Sequence, residues 1–122
     1  MFYNTITGDV KDFNNLFSFE SVPDSKVLIA VPHGGEYVPS CSFPFLDYTN
    51  LLFPLEIDQF SNEIYRVNDY SFAGTPIHRH VVNLNKNKGK KGISNLFREV
   101  GFNGSSLYLD DVPNSVSEKL VN

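Results

Sequence analysis

The chain has 122 residues, 41% of them apolar and with 11 Phe and 6 Tyr, which suffices for one compact core and is too little for two domains. Its formal charge of -4 argues against general affinity for nucleic acid or an anionic membrane, both of which reward clustered positive charge, and leaves a small molecule or another protein as the expected partner. The single cysteine, Cys41, excludes an intramolecular disulfide; with no signal-like start and no apolar run near the roughly 18 residues of a membrane span, a cytoplasmic protein is the expectation.

Residues 1–25 are polar and irregular, ending in the turn-prone VPDS, and are predicted to form an N-terminal arm or edge strand. KVLIAV at 26–31 is a continuous apolar run stopped by Pro32, as in a central strand covered on both faces. Residues 39–54 mix prolines and aromatics without a period and read as a loop with one helical turn. Pro54 suits the first position of a helix, and Ile57, Phe60, Ile64 and Val67 recur at helical spacing, predicting about three turns that end near Asn68. TPIHRHVVNLN, after Gly74, is rich in β-branched residues and predicts a second strand. A strand, a helix and a strand in order imply a crossover, hence an α/β domain whose central, mixed but mainly parallel sheet is flanked by helices, with a motif-bearing βαβ core at 26–86. Residues 87–122 read as loop-rich: a lysine-bearing, glycine-punctuated segment, then turns around one short strand. SVSE at 115–118 matches a helix-starting capping box so close to Asn122 that the expectation is a chain cut short.

Three stretches carry side chains suited to chemistry. VPHGGEYVPS, at 31–40, places His33 and Glu36 in a turn just past a strand, a spacing from which an imidazole nitrogen and a carboxylate oxygen can reach one zinc ion, with glycines allowing close backbone approach. In IHRHVVNLNK, at 77–86, period two places Arg79, Val81, Asn83 and Asn85 on one face and His78, His80, Val82, Leu84 and Lys86 on the other. The guanidinium of Arg79 with neighbouring amides suits a carboxylate ligand; a structural ion pair is the plainer alternative. In LEID, at 55–58, Asp58 stands off the apolar stripe, where it can serve a site or simply favour the helix dipole.

In this order and spacing the three stretches resemble the N-formylglutamate amidohydrolase family: VPHGGEYVPS is similar to its Pro-His-(Gly/Ser)-Gly signature, IDQFSNEIY to its acidic helix, and RHVVNLNK to its Arg-x-Val-Val-Asp-Leu-Asn-Arg strand. Asn83 and Lys86 stand where that pattern has Asp and Arg. The resemblance implies a phosphorylase/hydrolase-like fold, of which this chain would be an N-terminal, truncated part. It also implies zinc or another divalent metal on His33, with Glu36 and Asp58 competing as second ligand and His78, His80, water or a neighbouring chain in a homo-oligomer as third. Arg79, Asn85 and Lys86 would hold the substrate's carboxylate. The implied reaction is metal-dependent hydrolysis of an N-acyl amino acid such as N-formyl-glutamate, giving formate and glutamate; a non-catalytic binding module derived from the family is the alternative.

Overall fold

A computed structural model describes residues 1–14, 16–86, 101–109 and 113–116. Six short strands form two three-stranded sheets. In the first, β1 (Phe2–Asn4) lies between β2 (Val10–Lys11) and β5 (Tyr37–Pro39), antiparallel to both. The hairpin turn between β1 and β2 is wired by Asn4, whose Oδ1 accepts the amides of Ile6 and Thr7, and by Gly8 at φ 80°. In the second sheet, β6 (Ser71–Gly74) lies between β3 (Ser18–Glu20), antiparallel to it, and β4 (Leu28–Val31), parallel to it. The α-helix α1 (Ser61–Ile64) is a single turn, and residues 114–116 are helical as well. No helix of the described residues is long and apolar enough to cross a membrane.

This corrects the expectation of a mainly parallel α/β sheet flanked by helices: the sheets are small, one antiparallel and one mixed, and little helix covers them. The apolar run at 26–31 does form β4, but at the edge of its sheet, with Leu28 56% exposed. The predicted three-turn helix is lost because its first half is pulled toward other partners. The Asp58 amide, which a helix would direct back four residues, donates instead to the His33 carbonyl at 3.0 Å, and Phe60 adopts the left-handed φ of 63°. Helix starts only beyond that point, and Phe60, Ile64 and Val67 stay exposed. The second strand falls at β6, earlier than the β-branched run. From Ile77 onward the chain makes only isolated bridges to Tyr37 and Gly35 and then turns, with the Val81 amide on the His78 carbonyl at 2.9 Å. Period two therefore does not apply there: His78, His80, Val81 and Asn83 are all buried. Glu118 of the capping box, and Lys88, Lys90 and Lys91 of the lysine-bearing segment, lie outside the described residues.

The core gathers Phe2, Val38, Leu46, Phe53, Ile77, Val81, Leu107 and Tyr108, so that β1, β5, the 3-10 turn Phe53–Leu55 and the 101–109 segment close on one another. Gly35 is where the His33 turn crosses the Ile77 backbone. A Cβ there would collide with the carbonyl oxygen of Ile77, a main-chain atom that cannot swing away. A Cβ on Gly34 would meet the side chains of Ser61 and Asn62 at 2.7–2.9 Å, which can shift. Gly35→Ala is accordingly expected to cost about 1–3 kcal/mol or more of stability, and more than Gly34→Ala, in urea unfolding. An equal or smaller loss for Gly35→Ala would contradict this crossing.

Candidate functional site

The turn after β4 and the turn after Ile77 bring His33, Asp58, Arg79 and Asn83 together. His33 is buried, and its Nε2 lies 2.9 Å from Asn83 Oδ1. The same Oδ1 accepts the Asn85 amide at 3.0 Å, and a main-chain N–H can only donate, so the orientation of the Asn83 side chain is set by the backbone. The His33 Nε2 must then carry the proton in this contact, and in the neutral ring Nδ1 is left as a lone pair. That lone pair faces Asp58, whose Oδ2 lies 3.6 Å away. Asp58 Oδ1 lies 3.9 Å from Arg79 Nη1. Both separations exceed the about 2.7–2.9 Å of a charge-assisted hydrogen bond, so Asp58 sits between a histidine and a guanidinium without closing on either. Its side chain is 58% exposed and opens the cluster to solvent.

A deeper layer supports this one. His78 is fully buried, stacked on Phe53 with ring centroids 4.2 Å apart, and its Nε2 donates to the Phe53 carbonyl at 2.7 Å. Its Nδ1 accepts the His80 amide at 3.1 Å, so the ring is neutral and fully used. Burial foremost, then the neighbouring His80 and Arg79, pushes its pKa down to about 3. Buried His80 in turn places Nε2 2.6 Å from Glu56 Oε2, while Glu56 Oε1 accepts the Phe102 amide at 3.1 Å. The Phe102 ring lies 4.8 Å from the Arg79 guanidinium carbon, a cation–π contact that covers one face of the fork.

The remaining sequence candidates fall in different places. Glu36 accepts from Asn4 Nδ2 at 3.0 Å and lines a cavity of about 320 Å³ with Lys11, Tyr37, Asn62 and Arg66, whose lining includes neither His33 nor Asp58. Of the two competing second ligands, Asp58 is therefore the one beside His33. Asn85 contributes its main-chain amide through Asn83, with its side chain exposed, and Lys86 is exposed on the turn closed by its amide on the Asn83 carbonyl at 3.1 Å. His78 bonds the Phe53 carbonyl and His80 bonds Glu56, so both serve the core beneath His33. Sequence reasoning missed Glu56 and Phe102. Glu56 lies two residues before Asp58 and carries no spacing signal, whereas an aromatic between glycines in GFNG is a turn presenting a ring, a signal that could have marked Phe102.

His33 and Asp58 are the two side chains of the cluster that could hold a divalent cation, since their 3.6 Å separation is one that two bonds of about 2.0–2.2 Å can span. Among the described residues no group of three or more His, Cys, Asp and Glu side chains gathers that could hold a metal. Comparison with protein-family models, with curated proteins and with solved structures finds no match to this chain.

The His78 environment has a measurable pH signature. Its pKa is about 3 folded against 6.5 unfolded, so the unfolded chain binds the proton first: the stability His78 contributes is complete above pH 6.5 and drains away as pH falls toward 3. The slope approaches about 1.4 kcal/mol per pH unit in that window. In His78→Asn this component of the acid dependence is expected to vanish, leaving the carboxylate background, when unfolding free energies are compared at pH 7 and pH 4.5. Identical slopes in both proteins would contradict a neutral, buried His78.

Proposed function

We propose that the His33–Asp58–Arg79 cluster hydrolyses the amide bond of an N-acyl amino acid with the help of a divalent metal, zinc being the best match to one imidazole and one carboxylate. The observation that supports this reading is the wiring of His33: its Nε2–H is tied to an amide oxygen that the Asn85 backbone fixes, and its Nδ1 lies 3.6 Å from Asp58 Oδ2, too far for a hydrogen bond. Metal-binding histidines characteristically donate their second ring N–H to an acceptor that fixes tautomer and orientation. Asn83 supplies that acceptor at the position where the resembling pattern has Asp.

A metal on this pair would supply a water acidified toward neutral pH and polarisation of the acyl oxygen. Arg79 takes the substrate's carboxylate through its N–H edge, which holds the scissile amide over His33 and Asp58. Water adds to the acyl carbon and its proton passes to Asp58 Oδ1, the oxygen of that carboxylate not placed beside His33 Nδ1. Asp58 then returns the proton to the departing nitrogen as the C–N bond breaks, leaving the free acid and the amino acid.

The second reading, a non-catalytic module that grips a carboxylate, is favoured by the two-ligand donor set among the described residues, since catalytic zinc normally has three protein ligands. The tests are zinc retention and turnover. The full chain, dialysed with zinc and then desalted, is expected to keep about one equivalent and to hydrolyse N-acyl amino acids, both lost in His33→Ala, while Asn83→Leu weakens metal affinity by about 10–100-fold. Zinc retention without turnover of any N-acyl amino acid supports the binding module. Equal zinc in wild type and His33→Ala overturns the metal site altogether.

A further inference from the structure

Phe102 is a large apolar side chain, 56% exposed, yet its main chain is firmly held. Its amide donates to Glu56 Oε1 at 3.1 Å, and Glu56 is anchored by buried His80 at 2.6 Å. The turn that carries it is closed by the Gly101 amide on the Ser105 carbonyl at 2.9 Å and the Gly104 amide on the Gly101 carbonyl at 3.1 Å, with Gly104 at φ 80°. Gly101 is required against Glu56, because a Cβ there would lie 2.9 Å from Oε2. The ring itself meets His80 edge to face at 5.1 Å and the Arg79 guanidinium at 4.8 Å. An aromatic ring is thus fixed beside the one guanidinium of the cluster, with much of its surface turned to solvent.

We infer that Phe102 is the specificity-determining wall of this site and that it selects N-acyl amino acids with aromatic or large aliphatic side chains over the acidic ones of the family's namesake substrate; this rests on the carboxylate-binding reading of Arg79 given above. A carboxylate accepted in the plane of the guanidinium has its α-carbon in that plane, beyond the carboxylate carbon, from where the side chain it bears can bend toward the ring that covers the guanidinium face. Here that is a phenyl ring, which offers dispersion and apolar burial and no hydrogen-bond donor. The charges around it point the same way. Asp58 already lies against Arg79, Glu56 is committed to His80 and the Phe102 amide, and a second substrate carboxylate would meet these two anions. Lys86, exposed on the turn after Asn83, is the alternative cation for such a group.

Calorimetric titration of the zinc-loaded full chain with N-acetyl-L-phenylalanine and N-acetyl-L-glutamate tests this without relying on turnover. The phenylalanine ligand is expected to bind about 3- to 10-fold more tightly, the range that one aromatic pair contributes. In Phe102→Ala the ratio is expected to fall to about 1, and Phe102→Leu, which keeps an apolar wall and the backbone anchor, retains a preference. Arg79→Ala loses both ligands. Equal binding of the two ligands by wild type, or a preference unchanged in Phe102→Ala, overturns the inference while leaving the carboxylate site standing. A preference for the glutamate ligand that Lys86→Ala abolishes overturns it in favour of Lys86. If neither ligand binds the wild type, the carboxylate reading fails and the inference fails with it.

Discussion

The contact on which the site depends is the acceptance of two hydrogen bonds by one atom, Asn83 Oδ1. The His33 ring and the Asn85 amide both reach it, at 2.9 and 3.0 Å, and so the end of β4 is joined to a turn fifty residues further along the chain. Because one of the two donors is main chain, the amide cannot flip to offer its NH2 to His33 without giving up the Asn85 bond. Buried as it is, such a loss would cost on the order of 1–3 kcal/mol. The proton on His33 is thereby directed away from Asp58. Everything proposed for the cluster follows from that direction: a nitrogen lone pair, an exposed carboxylate and a guanidinium converge without satisfying one another.

Beneath this lies a buried polar layer. His78 and His80 are both buried, and each ring nitrogen of His78 is used, one on the Phe53 carbonyl and one on the His80 amide. Glu56 links His80 to the Phe102 backbone. A buried network of this kind is favourable only when its members are paired, and its geometry is correspondingly stiff. It fixes where Arg79 and Phe102 emerge at the surface, so the depth of the fold and the chemistry of its lip are set by the same hydrogen bonds.

Part of the candidate cluster was legible in the sequence and the fold that carries it was not: of the residues singled out, Glu36 lines a separate cavity, and Asn85 and Lys86 are exposed. His33, Asp58 and Arg79 were picked out by side-chain type and order, and they meet in space. The elements assigned to them do not survive: Asp58 is not on a three-turn helix but on a loop bonded to His33, and Arg79 is not on a strand but in a turn. Helical spacing of Ile57, Phe60, Ile64 and Val67 misled because it reports an apolar stripe, not a partner to bury it, and the Asp58 amide had a competing acceptor in the His33 carbonyl. In the same way the β-branched run after Thr75 was outweighed by the His78 side chain, which captures the His80 amide and curls the backbone. The first is a tertiary bond between separate segments that no local pattern encodes; the second is a local side-chain-to-backbone bond, two residues apart, that competes with a strand. Asn83 was seen as one of several convergent amides; that it orients His33 became visible only once the Asn85 amide was in place.

The account turns on which nitrogen of His33 bears the proton and which meets a metal. Long-range proton–nitrogen correlation spectra of the nitrogen-15-labelled chain, recorded through a zinc titration at neutral pH, report this directly. A protonated Nε2 throughout is expected, with a zinc-dependent shift of the His33 Nδ1 resonance that is absent in Asp58→Asn or much weakened. A proton resident on Nδ1, or an Nδ1 resonance that saturating zinc leaves unmoved, would contradict it.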